Sequence, residues 1–386
     1  MRILLLSVDF PPAQGGIQNL LAHLASGLST ANDVSVVAPA HAAARDWDGG
    51  QRYHVTRAPR VRFWPFVMLG FACAALVRAI RRPPDIVVCG HALLGPASYL
   101  VARLFGVRMV VMAYALEIRA PRMQRLARWT LRRAAMVVAI SEFTRRSVIA
   151  HGVDDARIVV IHPGAAFVPG PPSFARFASF GGQAAPPVIL TVARLGELYK
   201  GHDMVIRALP LVLAHQPDAH YVIAGDGPLR PYLERLAASV GVADKVTFAG
   251  AVSDEDLGHW YQRAAVFAML SRESPGDGGA EGYGLTFIEA GAWGKPVVGG
   301  NSGGIPDAVI DGVTGLLVAP TEVAAIADAL TRILADPEFA ARLGAQGRDR
   351  ALNELSWPNF TAAFERTLTL ALDAPPLLGT VKSARS

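Results

Sequence analysis

The chain has 386 residues, 52% hydrophobic and 18% charged, which excludes a disordered polymer and suggests two or three domains with sizeable cores. Its net charge of +5 hides a division: residues 1–180 carry 21 arginines, no lysine and 9 acids (+12), whereas residues 181–386 carry 16 basic and 23 acidic residues (−7). The first half therefore suits an anionic surface such as a membrane, a phosphate or a nucleic acid.

The chain opens on a short apolar run that ends at Ser7 and Asp9, too short for a signal peptide and suited to a buried first strand. Further strands are predicted at Val34–Ala38, Asp85–Cys89, Met109–Met112, Met136–Ile140 and Ile158–Ile161, alternating with helical patterns. Between them, the apolar run Phe66 to Val77 falls well short of a membrane span. The two cysteines, Cys73 and Cys89, form no disulfide framework and no Cys-x-x-Cys pair, and fit a reducing cytosol. The pattern breaks in the proline-rich stretch before Val188, read as a linker over 166–187. It restarts with Val188–Val192, Tyr221–Ala224, Val246–Phe248, Val266–Met269, Pro296–Val298 and Gly315–Val318. The expected class is α/β: two Rossmann-like domains with parallel sheets, 1–165 and 188–356, facing across a cleft. An amphipathic helix is expected over 357–373, packing back on the first domain, then a mobile tail over 374–386.

Four constellations carry chemistry. In Glu281-Gly-Tyr-Gly-Leu-Thr-Phe-Ile-Glu289, Gly282 and Gly284 make a tight turn before a helix. The free N–H groups of Leu285 and Thr286 then offer an anion site for a diphosphate. Glu289, four residues after Leu285 on the same helix face, reaches ribose hydroxyls, and Glu281 meets hydroxyls of the group on the phosphate. An ordinary βα turn with a solvated acid at each end has the same spacing. After the strand Val188–Val192, Arg194 and Lys200 stand in a glycine-flanked loop, where two cations can neutralise a departing pyrophosphate without metal. Two unrelated surface cations would look the same. Gly15 and Gly16 follow the first strand and open a helix. Gly225 and Gly227, in Ala224-Gly-Asp-Gly-Pro228, make another close turn that taken singly reads as a plain βα turn.

Taken in order, Pro-Pro-x-x-Gly-Gly, Arg-x5-Lys-Gly, Gly-Asp-Gly-Pro, Glu-x7-Glu, Ser302-Gly-Gly-Ile-Pro306 and Gly312-Val-Thr-Gly-Leu-Leu-Val318 resemble the retaining, nucleotide-sugar-dependent group 1 glycosyltransferases of GT-B fold. The resemblance covers nearly the whole chain. It is closest to bacterial mannosyltransferases acting on phosphatidylinositol mannosides, which share Gly-Gly-Ile-Gln and a Gly/Asp-rich insertion, here Ser274–Ala280. It implies that Arg194 and Lys200 hold the donor diphosphate, Glu281 the sugar, Glu289 the ribose, Gly16 a phosphate from the other domain, and the turn ending at Val252 the base. It also implies transfer with retention, no bound metal and no cofactor beyond the nucleotide sugar itself. The expected donor is GDP-mannose, with a UDP-sugar second, and the expected acceptor is a lipid-linked glycan or glycolipid. An exopolysaccharide or small-molecule transferase and an inactive sugar-nucleotide-binding scaffold are the other readings.

The family often has a His in a His-Gly-x-Glu stretch; here Ala113-Tyr114-Ala-Leu-Glu117 puts Tyr114 in its place, able to bond a hydroxyl but not to act as base at neutral pH. His91 is a second candidate for an acceptor or sugar contact, or a satisfied core histidine. A second frame, Glu273 to Glu281, is set aside because it does not end inside a helix begun by glycines. Asp46-Trp-Asp48 and Asp254-Glu-Asp256 have the look of metal ligands, but Ser253 with acids behind it reads as a helix N-terminus. Finally Arg122, Arg125, Arg128, Arg132 and Arg133 share one helical arc with Trp129, as in a helix that docks on anionic lipid, although an arginine-preferring genome would also yield a solvated basic helix. The expected setting is cytoplasmic, peripheral on the membrane, with no nucleic-acid partner because no recognisable module accompanies the charge.

Overall fold

The computed structural model describes residues 1–13, 15–59, 64–165, 186–274, 276 and 278–374. The expected linker, but for Pro186 and Pro187, and the expected tail, but for Ala374, lie outside the described residues, as do Pro275 and Asp277 of the glycine-rich insertion. Packing divides the chain into two compact units, Met1–Pro163 with Trp357–Ser386, and Gly164–Ser356.

The first unit is built on strands β1 (Arg2–Leu6), β2 (Asp33–Pro39), β3 (His54–Ala58), β4 (Ile86–Cys89), β5 (Arg108–Ala113), β6 (Met136–Ala139) and β7 (Ile158–Val160). They form one parallel sheet in the order β3-β2-β1-β4-β5-β6-β7. The central strands are apolar on both faces because helices cover both: β4 and β6 are buried throughout. Register follows from that burial, with Ile3 beside Val34 on one side and Ile86 on the other. The order reverses between β1 and β4, and that switch point opens a crevice at the carboxyl ends of these two strands.

β3 is absent from the strands predicted above. Its sequence, His-Val-Thr-Arg-Ala, has no apolar run because it is an edge strand with only Ala58 buried. The basic helix spans Gln124–Leu131, shorter than the arc Arg122 to Arg133. The helix Trp357–Asp373 belongs to this unit and lies along Gly16–Leu28. The His23 ring stacks on Trp357 at 4.5 Å, Asn32 Nδ2 donates to Glu365 Oε1 at 2.5 Å, and Gly27 leaves room for Thr361.

The second unit repeats the plan with β8 (Val188–Val192), β9 (His220–Ala224), β10 (Val246–Gly250), β11 (Ala264–Met269), β12 (Val297–Gly300) and β13 (Gly315–Val318). Its parallel order is β10-β9-β8-β11-β12-β13, so its switch point lies between β8 and β11. Among the described residues, no helix is long and apolar enough to cross a membrane.

Candidate active site

At the switch point of the second unit, two loops meet. The one after β8 carries Arg194 and Lys200 and ends at Gly201, which caps the helix His202–Leu213. The one after β11 runs from Leu270 to Glu281. They are fastened together by Arg272, whose backbone N–H donates to the Tyr199 carbonyl at 2.9 Å and whose guanidinium grips Asp203 with two bonds of 3.0 Å. Gly201 lets the loops touch: its φ is +80°, and a Cβ there would lie 2.1 Å from the Leu270 carbonyl oxygen.

That fastening brings Lys200 to Glu281. Lys200 Nζ donates to Glu281 Oε2 at 2.6 Å, with both side chains largely buried. Burial by itself disfavours the ammonium, but the charge of Glu281, with Tyr199 and Glu197 behind it, more than offsets this and raises the Lys200 pKa. Lys200 is therefore a fixed cation at neutral pH, resting on the acid that the sequence assigned to a sugar. Arg194 is exposed and has no ion-pair partner among the described residues.

Glu281 is itself braced. Gly304 N–H donates to its carbonyl at 2.8 Å, and Gly303, φ +60°, passes so close that a Cβ would lie 2.5 Å from the same oxygen. This gives the Ser302–Pro306 motif a physical task. Gly284, φ +98°, precedes the helix Leu285–Ala292 and leaves the N–H groups of Leu285 and Thr286 in its first turn. Glu289 is buried and its Oε2 accepts from Tyr261 Oη at 2.8 Å. Tyr261 and His202 were not singled out from the sequence. His202 follows Lys200-Gly201 directly, the one signal that would have found it. Burial, then the Lys200 charge, lower its pKa to about 4. The neutral ring leaves Nε2 without a hydrogen-bond partner among the described residues.

Gly225 and Gly227 are glycines for a reason internal to the fold. A Cβ on Gly225 would lie 2.0 Å from the Ala193 carbonyl oxygen, and one on Gly227 2.5 Å from that of Leu195. The turn thus packs on the Arg194 loop, while a bridge from Gly225 to Gly250 sets the half-buried Val252 near it. Ser253 Oγ accepts from Asp256 N–H as the N-cap of Asp254–Arg263, and Asp48 is paired with Arg57 at 2.6 Å. Among the described residues there is no group of three or more metal-ligating side chains.

The first unit's switch point holds the remaining candidates. Gly15 precedes, and the exposed Gly16 opens, the helix Gly16–Leu28 after β1. His91, after β4, accepts Leu93 N–H at Nδ1 and stands 3.7 Å from Asp9 through Nε2. Burial lowers its pKa to about 4, so it is neutral and the contact is no ion pair. Tyr114 is 3% exposed and its hydroxyl donates to the Gly90 carbonyl at 3.1 Å. Glu117 Oε1 accepts Tyr114 N–H at 2.5 Å, and burial raises that carboxyl to about 7.

The Glu117 shift is testable. A buried carboxyl with a raised pKa keeps its full stability below the unfolded value near 4.5 and loses it as pH rises through about 7. Urea unfolding of the wild type should weaken by roughly 3 kcal/mol between pH 5 and pH 8.5 at this site. Glu117→Gln should flatten that slope; an unchanged slope would put the titrating group elsewhere.

The chain matches two family descriptions, Glycosyltransferase Family 4 over residues 14–166 and Glycosyl transferases group 1 over residues 176–350. It is 34% identical, over 92% of its own length and 95% of the other, to a GDP-mannose-dependent alpha-(1-6)-phosphatidylinositol monomannoside mannosyltransferase of Mycolicibacterium smegmatis. The chain belongs to the group 1 glycosyltransferases. This glycosyltransferase is also 30% identical, over 92% of its length and 94% of the relative's, to a GDP-mannose-dependent monoacylated alpha-(1-6)-phosphatidylinositol monomannoside mannosyltransferase of Corynebacterium glutamicum. In structure it is similar to a sucrose-phosphate synthase of Thermosynechococcus elongatus, with a TM-score of 0.79 over 97% of this chain and all of that one at 23% identity. The fold of the glycosyltransferase is GT-B, as its two successive doubly wound sheets required.

Proposed function

We propose that the protein transfers mannose from GDP-mannose, with retention, to a glycolipid of the phosphatidylinositol mannoside kind. The observation that carries this is the near full-length identity to the mycobacterial-type mannosyltransferases, joined to a protonated Lys200 held at a Rossmann switch point. In this reading Lys200 and Arg194 take the donor diphosphate with the N–H groups of Leu285 and Thr286. Glu281 turns its carboxylate to the mannose hydroxyls and Glu289 serves the ribose. The acceptor hydroxyl attacks C1 on the face the phosphate leaves. The C1–O bond to phosphate breaks, the new C1–O bond forms, and the hydroxyl proton passes to a phosphate oxygen. Gly15 and Gly16 are assigned to a phosphate of the donor, and His91 and Tyr114 to the acceptor or a sugar hydroxyl. Neutral His91, and Tyr114 bonded to Gly90, suit shaping and hydrogen bonding rather than proton abstraction.

The two cations supply the charge that a divalent ion supplies elsewhere, so we assign the reaction no metal cofactor. Labelled GDP-mannose with a phosphatidylinositol mannoside extract should yield mannosylated lipid at the same rate with and without chelator. Transfer only from UDP-sugars would overturn the donor, and loss of activity on chelation would overturn the metal-free step. A peripheral position on an anionic membrane, brought by the basic helix Gln124–Leu131, belongs to this reading because the acceptor is a lipid.

A further inference from the structure

On the first unit, away from the carboxyl ends of its strands, lies a cavity of about 720 Å³. It opens between the helices Gly95–Phe105 and Gln124–Leu131, and reaches Arg108 and Met109 at the start of β5 and Ala135 just before β6, so it stands at the amino edge of the sheet. Arg103, Arg108, Arg125, Arg128, Arg132 and Arg133 line it, and among the described residues no carboxylate does. One wall is aromatic: Tyr99 and Trp129 meet edge to face at 5.4 Å, with the Arg133 guanidinium over Trp129 at 4.2 Å. Arg125, Arg128 and Arg132 make no ion pair with any described residue, although each is exposed. Six like charges around one groove repel one another, and an anion bearing several negative oxygens relieves that repulsion.

The surface beside the groove says where such an anion comes from. Leu100 and Leu104, each one position beyond Tyr99 and Arg103, are 40% and 62% exposed. The helix Trp64–Arg81 packs against that helix and exposes Phe66, Leu69, Cys73, Val77 and Ile80, a stripe at helical spacing in which Ile80 is 70% exposed. Arg81 and Arg82 end the stripe. An apolar ridge next to an arginine groove matches the two layers of a bilayer surface, acyl chain and phosphate.

We propose that this groove binds the phosphate headgroups of anionic phospholipid while the stripe of the helix Trp64–Arg81 enters the acyl layer, a headgroup site distinct from the carboxyl-edge crevice. It rests on the lipid-acceptor reading and names the surface that meets the bilayer. The test is sedimentation with vesicles of phosphatidylcholine containing about one third phosphatidylglycerol. Arg125→Ala with Arg128→Ala should weaken binding about twentyfold or more, at roughly fivefold per arginine near an anionic surface. Leu69→Ser with Ile80→Ser should remove the part of the binding that survives high salt. Both variants should keep the wild-type melting temperature and rate of GDP-mannose hydrolysis. A change under twofold in the arginine variant overturns the proposal, as does hydrolysis falling in step with binding. Tight binding of inorganic triphosphate by a protein that ignores vesicles would overturn the lipid source. Vesicle binding without turnover of GDP-mannose would instead sink the proposed function and leave the groove standing.

Discussion

Lys200→Ala is expected to lower turnover by about a hundredfold or more, and Arg194→Ala by a similar factor, as loss of a donor to a developing anion does elsewhere. The two should differ in everything else. Arg194 is exposed and unpaired among the described residues, so its removal costs the folded protein little. Lys200 neutralises Glu281 at 2.6 Å in a largely buried place, and removing it strands that carboxylate. Breaking one side of such a pair costs about 3 kcal/mol or more. Lys200→Ala should therefore melt at lower temperature as well as react slowly. Lys200→Ala with Glu281→Ala should recover much of the stability and none of the rate. Steady-state rates with GDP-mannose and thermal melts decide this: near wild-type turnover in both single variants would remove these cations from the diphosphate.

Gly201→Ala is expected to be among the most destabilising single-methyl changes in the second unit. The position combines a φ of +80° with a Cβ site 2.1 Å from the Leu270 oxygen and 2.4 Å from its carbonyl carbon, and backbone cannot step aside as a side chain does. Gly241 is the control, with φ +75° and nothing within 4 Å of a Cβ. Gly241→Ala should cost about 1 kcal/mol, the left-handed strain alone. Gly201→Ala should cost about 3 kcal/mol or more, because strain and overlap add. Urea unfolding measures both, and equal costs would show that the Leu270 contact does not hold the Lys200 loop.

Much of this architecture is legible in the residues. Strands buried on both faces read as uninterrupted apolar runs, and Val188–Val192 and Gly315–Val318 have the predicted bounds to the residue. β3 was not legible because an edge strand need not be apolar, and His54, Thr56 and Arg57 hide it. At the site, the loops that carry Arg194, Lys200, Glu281 and Glu289 could be read from glycine turns after strands. What those side chains touch could not. Lys200 and Glu281 are 81 positions apart, Tyr261 and Glu289 28, and only the folded second unit makes them neighbours. The Gly225 and Gly227 turn could be read as a plain βα turn; that the Cβ space at each is taken by the carbonyls of Ala193 and Leu195 could not be.

The first unit is sewn from two distant stretches of chain, since Trp357–Asp373 returns to lie on Gly16–Leu28 after the whole second unit has been made. A nascent chain therefore leaves the ribosome with His23, Gly27 and Asn32 waiting for partners more than three hundred residues downstream. The second unit has no such debt and can close first. Chains stopped by a premature codon before Trp357 would carry a finished second unit and leave the first with an open seam along Gly16–Leu28.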